Sequence, residues 1–242
     1  MPVCRSSHLD YRSNAYAVVV DPASTARPDA IIIDAGAPLE PLRPLLDSAT
    51  VRAILITHDH HDHTEHAAEW AERYSCPVLH ASQLLAGEAV HSFGDIRVQA
   101  LSTPGHIDTH AALLVDSVGV FTGDVLFRGS IGGTLGCGLG GYEMIKRSLL
   151  DTLFGLDHEL VVYPGHSEET TLGHEWKSNP FVQVLRGEET TFEPFTAMVS
   201  GDEARVLIQS KDYDDGTKAI VEFEPGHRAV VGGGMLQRKV SA

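Results

Sequence analysis

The sequence predicts an α/β layered domain followed by a small β-rich appendage, and three observations carry that reading. Short apolar runs closed by turn residues recur through the first two thirds of the 242 residues. Helical stretches lie between them, the clearest with apolar residues three and four apart. Past about Arg186 the pattern changes to strand-length runs around an Asp-Gly pair, a hairpin signal. Strands mixed with helices in this order suit a layered α/β arrangement.

Taken in chain order, Ala15 to Val20 and Ala30 to Ile33 read as strands, the second closed by the tight turn Asp34-Ala35-Gly36. Leu39 to Ser48 reads as a short helix and Ala53 to Ile56 as a buried strand. A His-rich loop follows, then a helix from about Thr64 to Arg73. Val78 to Leu79, Ile96 to Leu101, Ala111 to Val115 and Val118 to Phe121 are further strands. Between Tyr142 and Leu156, Ile145, Leu149, Leu150, Leu153 and Phe154 follow helical spacing. Leu160 to Tyr163 returns to a strand. Ala204 to Gln209 and Lys218 to Phe223 flank Asp214-Asp215-Gly216, and His227 to Val231 adds a third strand before Gly232-Gly233-Gly234. The expected division is a main domain over residues 1–190 and a β-rich appendage over 191–242.

Composition narrows the function. Eighteen Lys and Arg against 33 Asp and Glu give a formal charge of −15, while 43% hydrophobic residues suffice for a packed core. A phosphate-tracking protein needs a basic footprint, so the composition argues against nucleic acid as the main partner. Cys4, Cys76 and Cys137 are too widely spaced for a disulfide framework or a zinc knuckle. MPVCRSSHLDYRSN offers no apolar core for a secretory signal, and no run approaches the roughly 20 residues that span a bilayer. The expectation is a soluble cytoplasmic protein with no membrane partner, its oligomeric state left open. Fourteen His residues are the unusual count.

Four loops, each directly after a strand, gather metal-type ligands. They are Thr57-His58-Asp59-His60-His61-Asp62-His63, Thr103-Pro104-Gly105-His106, Phe121-Thr122-Gly123-Asp124 and Tyr163-Pro164-Gly165-His166. Imidazole with carboxylate suits zinc, iron or manganese, whereas calcium takes oxygen ligands. Glycines before His106, Asp124 and His166 permit sharp turns at strand ends. His58 and His60 alternate as on an extended segment, while Asp62 and His63 fall at the start of the next helix. Any one piece is a weak signal, but four in order at strand ends are not. Seven ligands exceed one tetrahedral ion and suit two ions sharing a carboxylate.

The run His58-x-His60-x-Asp62-His63, followed by His106, Asp124 and His166, resembles the metallo-β-lactamase-fold hydrolase signature over roughly Asn14 to Phe181. Phe121 to Ser130, Tyr163 to His166 and Asn179-Pro180-Phe181 are similar to the glyoxalase II-like (hydroxyacylglutathione hydrolase-like) branch. The resemblance implies an αββα sandwich with the site at one edge. It implies His58, His60 and His106 at a first ion, Asp62, His63 and His166 at a second, and Asp124 bridging. Zinc is the first expectation for both ions, iron or manganese the alternatives. The implied function is thioester hydrolysis, or that of a related ester or lactone, by a metal-bridging hydroxide that Asp62 can orient. No Cys stands in the second site, which argues against a β-lactamase.

Two departures blur the substrate, expected to be a small-molecule thioester. Gly133 stands where relatives usually carry Arg after Gly-Ser-Ile-Gly, and the tail reads as β instead of the helical glutathione-binding domain of glyoxalase II. The Gly-rich stretch Gly132 to Gly141 reads as a mobile loop bordering the site. His110 is a candidate substrate-side residue, while Asp59, His61 and His66 read as outward-facing. His8, His80, His91, His158, His174 and His227 have no motif context. One rival is a mononuclear iron persulfide dioxygenase-like oxidoreductase using His58, His106 and Asp124; a metal-dependent nuclease and a non-catalytic binding protein rank lower.

Overall fold

A computed structural model describes residues 3–20 and 27–238 of the chain. By internal contact the chain forms two units. The first takes the chain up to Ser102, Thr109–Gly123 and Leu160–Glu169; the second takes Thr103–Asp108, Asp124–Glu159 and the chain from Thr170 onward.

The first unit is built on two sheets. Strands β1 (Val3–Ser7), β2 (Asn14–Val20), β3 (Asp29–Ile33), β4 (Thr50–Ile56) and β5 (Val78–His80) pair in chain order, antiparallel as far as β3 and parallel beyond it. Side-chain alternation gives this sheet two apolar faces. Ala15, Ala17, Val19, Ala30, Ile32, Ile54 and Ile56 pack with Leu42, Leu46, Ala67 and Trp70. These come from the approach to and end of α1 (Arg43–Leu46) and from α3 (Ala67–Tyr74), so helices cover that side. Tyr16, Val18, Ile31, Ile33, Ala53 and Leu55 point the other way. There they meet Ile96, Val98, Ala111, Leu113, Val115 and Phe121 of the second sheet. Both faces being covered explains why Ala30 to Ile33 is an unbroken apolar run. Each fully buried Ile there is worth about 1.5–3 kcal/mol relative to exposure.

The second sheet runs through β6 (Val90–Phe93), β7 (Ile96–Ser102), β8 (Ala111–Val115) and β9 (Gly119–Gly123) as antiparallel neighbours. Strand β12 (Val161–Pro164) lies parallel to β9. Helix α4 (Ala81–Ala86) adds Ala81 and Leu84 to the core between the sheets.

The second unit holds the two-stranded ribbon β10 (Leu126–Phe127) and β11 (Ser130–Ile131), a 3-10 turn over Leu135–Gly140, and α5 (Gly141–Arg147). It continues through β13 (Thr170–Thr171), α6 (Leu172–Ser178) and α7 (Pro180–Leu185). The C-terminal sheet follows, from β14 (Phe195–Val199), β15 (Asp202–Lys211), β16 (Thr217–Phe223), β17 (His227–Gly232) and β18 (Leu236–Arg238). Its strand order is β17-β16-β15-β14-β18, antiparallel throughout. The Asp214-Asp215-Gly216 turn closes the β15–β16 hairpin, with Asp215 in the left-handed region. Ala197, Val199, Val206, Ala219, Val221 and Val231 form this sheet's own core.

Several elements differ from the sequence expectation. The helix expected over Leu39 to Ser48 shrinks to Arg43–Leu46, because Pro38 and Pro41 cannot donate to a helical ladder while Pro44 fits the first turn. The stretch from Thr64 to Arg73 divides into α2 (His61–Thr64) and α3, which ends at a left-handed Ser75. The helix expected over Tyr142 to Leu156 passes from α5 into a π turn over Ser148–Leu153 and still buries Ile145, Leu149 and Leu153. Strands β1, β6, β14 and β18 and helices α4, α6 and α7 were not among the expected elements. The Gly132 to Gly141 stretch, read as a mobile loop bordering the site, carries the 3-10 turn and a Thr134 N–H bond to the Val230 carbonyl.

Candidate metal centre

In the first unit, β4 leads directly into Thr57 and His58, and the chain then turns so that His60 caps α2. Asp62 and His63 lie within that single helical turn. The turn is held against the end of β3, where Ala35 N–H donates to His63 O at 2.7 Å and His66 N–H to Ala35 O at 2.8 Å. The approach is so close that a Cβ at Gly36 would collide with the Asp62 carbonyl.

Asp34 is the residue that sequence reasoning missed. It is buried, in the left-handed region at φ 56°, and its carboxylate reaches both ends of the Thr57–His63 loop. The Thr57 amide donates to Oδ1 at 2.8 Å and the Thr57 hydroxyl to Oδ2 at 2.9 Å, while His63 Nδ1 lies 2.9 Å from Oδ2. A carboxylate has no proton to give, so His63 carries its proton on Nδ1 and turns Nε2 the other way. The Thr57 hydroxyl proton goes to Asp34, so at 3.0 Å its oxygen accepts from His58 Nδ1. One buried carboxylate therefore sets the tautomer of both imidazoles. The available signal was an acidic residue ending a wholly apolar strand.

The His166 loop is set at the same strand ends, from the start of β2 and the end of β9. Asn14 N–H donates to Gly165 O at 2.7 Å, and Gly165 N–H to Gly123 O at 2.9 Å. The Tyr16 hydroxyl and the Asn14 amide both donate to Pro164 O, at 2.8 and 3.0 Å. Burial pushes the Tyr16 phenol far above its ordinary range, so it remains a donor.

The outcome is a convergence of Asp62, His63 and His166. Asp62 Oδ2 lies 3.6 Å from His63 Nε2 and 3.5 Å from His166 Nε2. All three donor atoms fall within 4.8 Å of one another. Ligands held about 2.0–2.2 Å from a tetrahedral ion stand roughly 3.3–3.6 Å apart, so this spacing fits one. His58 and His60 lie alongside, with His58 Nε2 3.1 Å from His60 Nδ1. His58 and His63 are wholly buried, and His166 nearly so.

In the second unit, His106 and Asp124 make a similar pair, with Nε2 3.6 Å from Asp124 Oδ2. His106 Nδ1 donates to Gly133 O at 2.9 Å, which again leaves Nε2 facing the carboxylate. The loop under His106 is anchored by the Ser148 hydroxyl, which donates to Pro104 O at 2.7 Å. Gly105, at φ 133°, presses so closely on α5 that a Cβ would collide with the Ile145 amide.

The remaining histidines separate from these. His110 is buried with its ring 5.1 Å from His58, and so lies behind a ligand candidate and not on an open face. Asp59 turns outward to His80 at 2.6 Å, and His61 is largely exposed. His66 stacks on Trp70, while His91 and His158 point Nε2 at the carbonyls of Leu84 and Phe154. Among the described residues, no helix is long and apolar enough to cross a membrane.

Paired sheets with clustered imidazoles and carboxylates at their strand ends mark a class of metal-binding hydrolase folds. The chain belongs to the metallo-beta-lactamase superfamily, whose members are generally metal-dependent enzymes and whose sequence model matches residues 11–87. It is 32% identical over 210 residues to the uncharacterized protein ML0493 of Mycobacterium leprae, covering 71% of this chain and 94% of that protein. It is 34% identical over 121 residues to the hydroxyacylglutathione hydrolase GloC of Haemophilus influenzae, covering 47% of this chain and 56% of that one. Among solved structures, the BLEG-1 B3 metallo-beta-lactamase matches with a TM-score of 0.65 at 25% identity, over 75% of this chain and 99% of that one. TTHA1623, solved in a di-iron-bound form, matches with a TM-score of 0.55 at 30% identity, over 73% and 98% respectively.

Proposed function

We propose that the protein is a dinuclear metallohydrolase that cleaves a thioester, or a related ester or lactone, in the manner of glyoxalase II. The observation that carries this reading is the convergence of Asp62, His63 and His166 with the His63 tautomer set by buried Asp34. A solvated polar turn has no need of a buried carboxylate that fixes imidazole protons. The likeness to a hydroxyacylglutathione hydrolase over part of the chain supports the choice of substrate class.

In this reading, His58, His60 and His106 would hold one ion and Asp62, His63 and His166 the other, with Asp124 available to both. Zinc is proposed first on the donor set, with iron or manganese as substitutes; the di-iron form of TTHA1623 supports the number two. Divalent ions bound there would lower the pKa of a coordinated water toward neutrality and would stabilise charge developing on a carbonyl oxygen. The chain's own residues do the rest. Asp62, whose side chain is 22% exposed, accepts a hydrogen bond from the attacking water and orients it. Asp34 and Gly133 hold the protons of His58, His63 and His106 on Nδ1. A thiol has a pKa near 8.5, so the leaving thiolate needs no strong general acid.

A small thioester is the proposed partner, because a net charge of −15 disfavours nucleic acid and anionic membrane. Cytoplasmic residence is proposed on the three free cysteines. A second reading, the mononuclear iron persulfide dioxygenase, draws on the His106–Asp124 pair with His58 as a two-His, one-carboxylate set. Metal quantification combined with a panel of thioesters, lactones and persulfides separates the two. Two ions per chain with thiol release support the hydrolase; one iron per chain with oxygen consumption overturns it.

A further inference from the structure

We propose that the C-terminal sheet is a positioning device for His106. The buried Asp212–Lys218 pair and Val230 clamp residues 130–134, so that the Gly133 carbonyl fixes the proton and direction of that imidazole. The inference rests on His106 being a metal ligand, as proposed above.

Gly133 has no side chain with which to hold itself, so its neighbours must supply the fixing. On its N-terminal side, Lys218 Nζ donates to Ile131 O at 2.7 Å and pairs with Asp212 Oδ2 at 3.0 Å. The other Asp212 oxygen accepts the Ser130 hydroxyl at 2.8 Å. On its C-terminal side, Thr134 N–H donates to Val230 O at 3.0 Å, and Val230 N–H returns to the Thr134 hydroxyl at 2.9 Å. Gly132 completes the constraint, since a Cβ there would collide with the Asp124 carbonyl. Both flanks of the acceptor for His106 are therefore tied to the β15–β16 turn, to β16 and to β17.

The chemistry of the pair argues against a role in stability alone. Lys218 and Asp212 side chains are each 7% exposed, and a buried ion pair is often no more stabilising than well-packed apolar residues. The sheet already has its apolar core, in Ala197, Val206, Ala219 and Val221, to hold it together. What the pair adds is direction: one ammonium and one carboxylate spent on the backbone and hydroxyl of two consecutive residues just before Gly133. The Phe127 and Tyr213 rings, 5.0 and 5.3 Å from Nζ, hold the ammonium in place by cation–π contact.

The test is a mutant cycle read by metal affinity. Zinc binding is measured by competition with a chromogenic chelator in wild type, in D212N/K218M, in Thr134→Val, and in each of these combined with His106→Ala. Folding of every variant is checked by circular dichroism and thermal melting. The expected result is that the clamp variants bind one of two zinc ions about 10–100-fold more weakly and the other as before. In the His106→Ala background the same substitutions leave the remaining affinities within about twofold, because the clamp acts through His106. Folded clamp variants with wild-type affinity for both ions overturn the proposal, as does a loss that persists undiminished without His106. If D212N/K218M fails to fold, Thr134→Val alone decides by the same criteria. A wild-type protein that takes up no zinc, iron or manganese instead overturns the metal assignment, and this inference with it.

Discussion

The two groups of candidate ligands are supported in opposite ways. His58 and His63 rest on Asp34 and Thr57, all within 30 residues of chain, with Asp34 and Thr57 directly following adjacent parallel strands. Their imidazole protons are set by a single charge. His106 rests instead on a neutral backbone carbonyl, that of Gly133, whose segment is tied to strands roughly 80 to 100 residues further on. The first arrangement is short-range and ionic, the second long-range and carried by backbone. Neither support stands next to its ligand in the sequence, since Asp34 lies 29 residues before His63 and Gly133 lies 27 after His106.

The largest expected effect comes where the comparison collapses, at the carboxylate proposed to serve both ions. Asp124→Ala is expected to lose metal and activity together, with kcat/KM falling by about 10³ or more for thioester hydrolysis. Full metal occupancy in that variant would contradict the shared role.

Next is the charged support itself. Asp34→Asn replaces an obligate acceptor by an amide that can present a donor to His63, and is expected to weaken metal binding by about 10–100-fold. Chelator competition reads the loss. Unlike the C-terminal clamp variants, this substitution should persist in the His106→Ala background, because it acts on other ligands.

Backbone crowding sharpens the contrast further. Gly123 has φ 46°, and a Cβ there would stand 2.7 Å from both His110 Nε2 and the Thr57 hydroxyl. Gly187, at φ 77° beyond α7, has open space around it. Gly123→Ala is expected to cost about 2–4 kcal/mol in denaturant unfolding and Gly187→Ala about 1 kcal/mol. Equal losses at the two sites would mean that the end of β9 is less tightly packed than described.

The smallest effect is expected at Asp59, which shares the His-rich loop but faces outward to His80. Asp59→Asn should change stability by no more than about 0.5 kcal/mol, measured by thermal melting, and leave metal content unaltered. A loss of metal would place Asp59 among the ligand supports.

The ligand-bearing loops were legible in the sequence, whereas neither of their supports was. The strand–loop pattern and the four ligand-bearing loops were readable because each piece is contiguous and ends an apolar run. Ala30 to Ile33 and Ala53 to Ile56 announced themselves as buried strands, and His58 to His63 stood beside one of them. The C-terminal hairpin was readable from Asp215-Gly216. Strand β1 was not, because its edge position lets Arg5 and Ser7 face outward and Ser6 bond the Pro38 carbonyl. Asp34 read as a turn residue, since nothing local shows that its carboxylate is buried under Thr57. Gly133 read only as a departure from a pattern, because the use of its carbonyl depends on a histidine 27 residues away. Lys218 looked like an ordinary strand lysine, and its burial depends on a ribbon that pairs only in the folded chain.

The central claim is that two supports of different kinds hold two metal ions, and counting the ions tests it most directly. Elemental analysis of metal-reconstituted protein is predicted to find two divalent ions per chain in wild type and one each in His63→Ala and His106→Ala. A single ion in wild type, or full occupancy in either variant, would contradict the account.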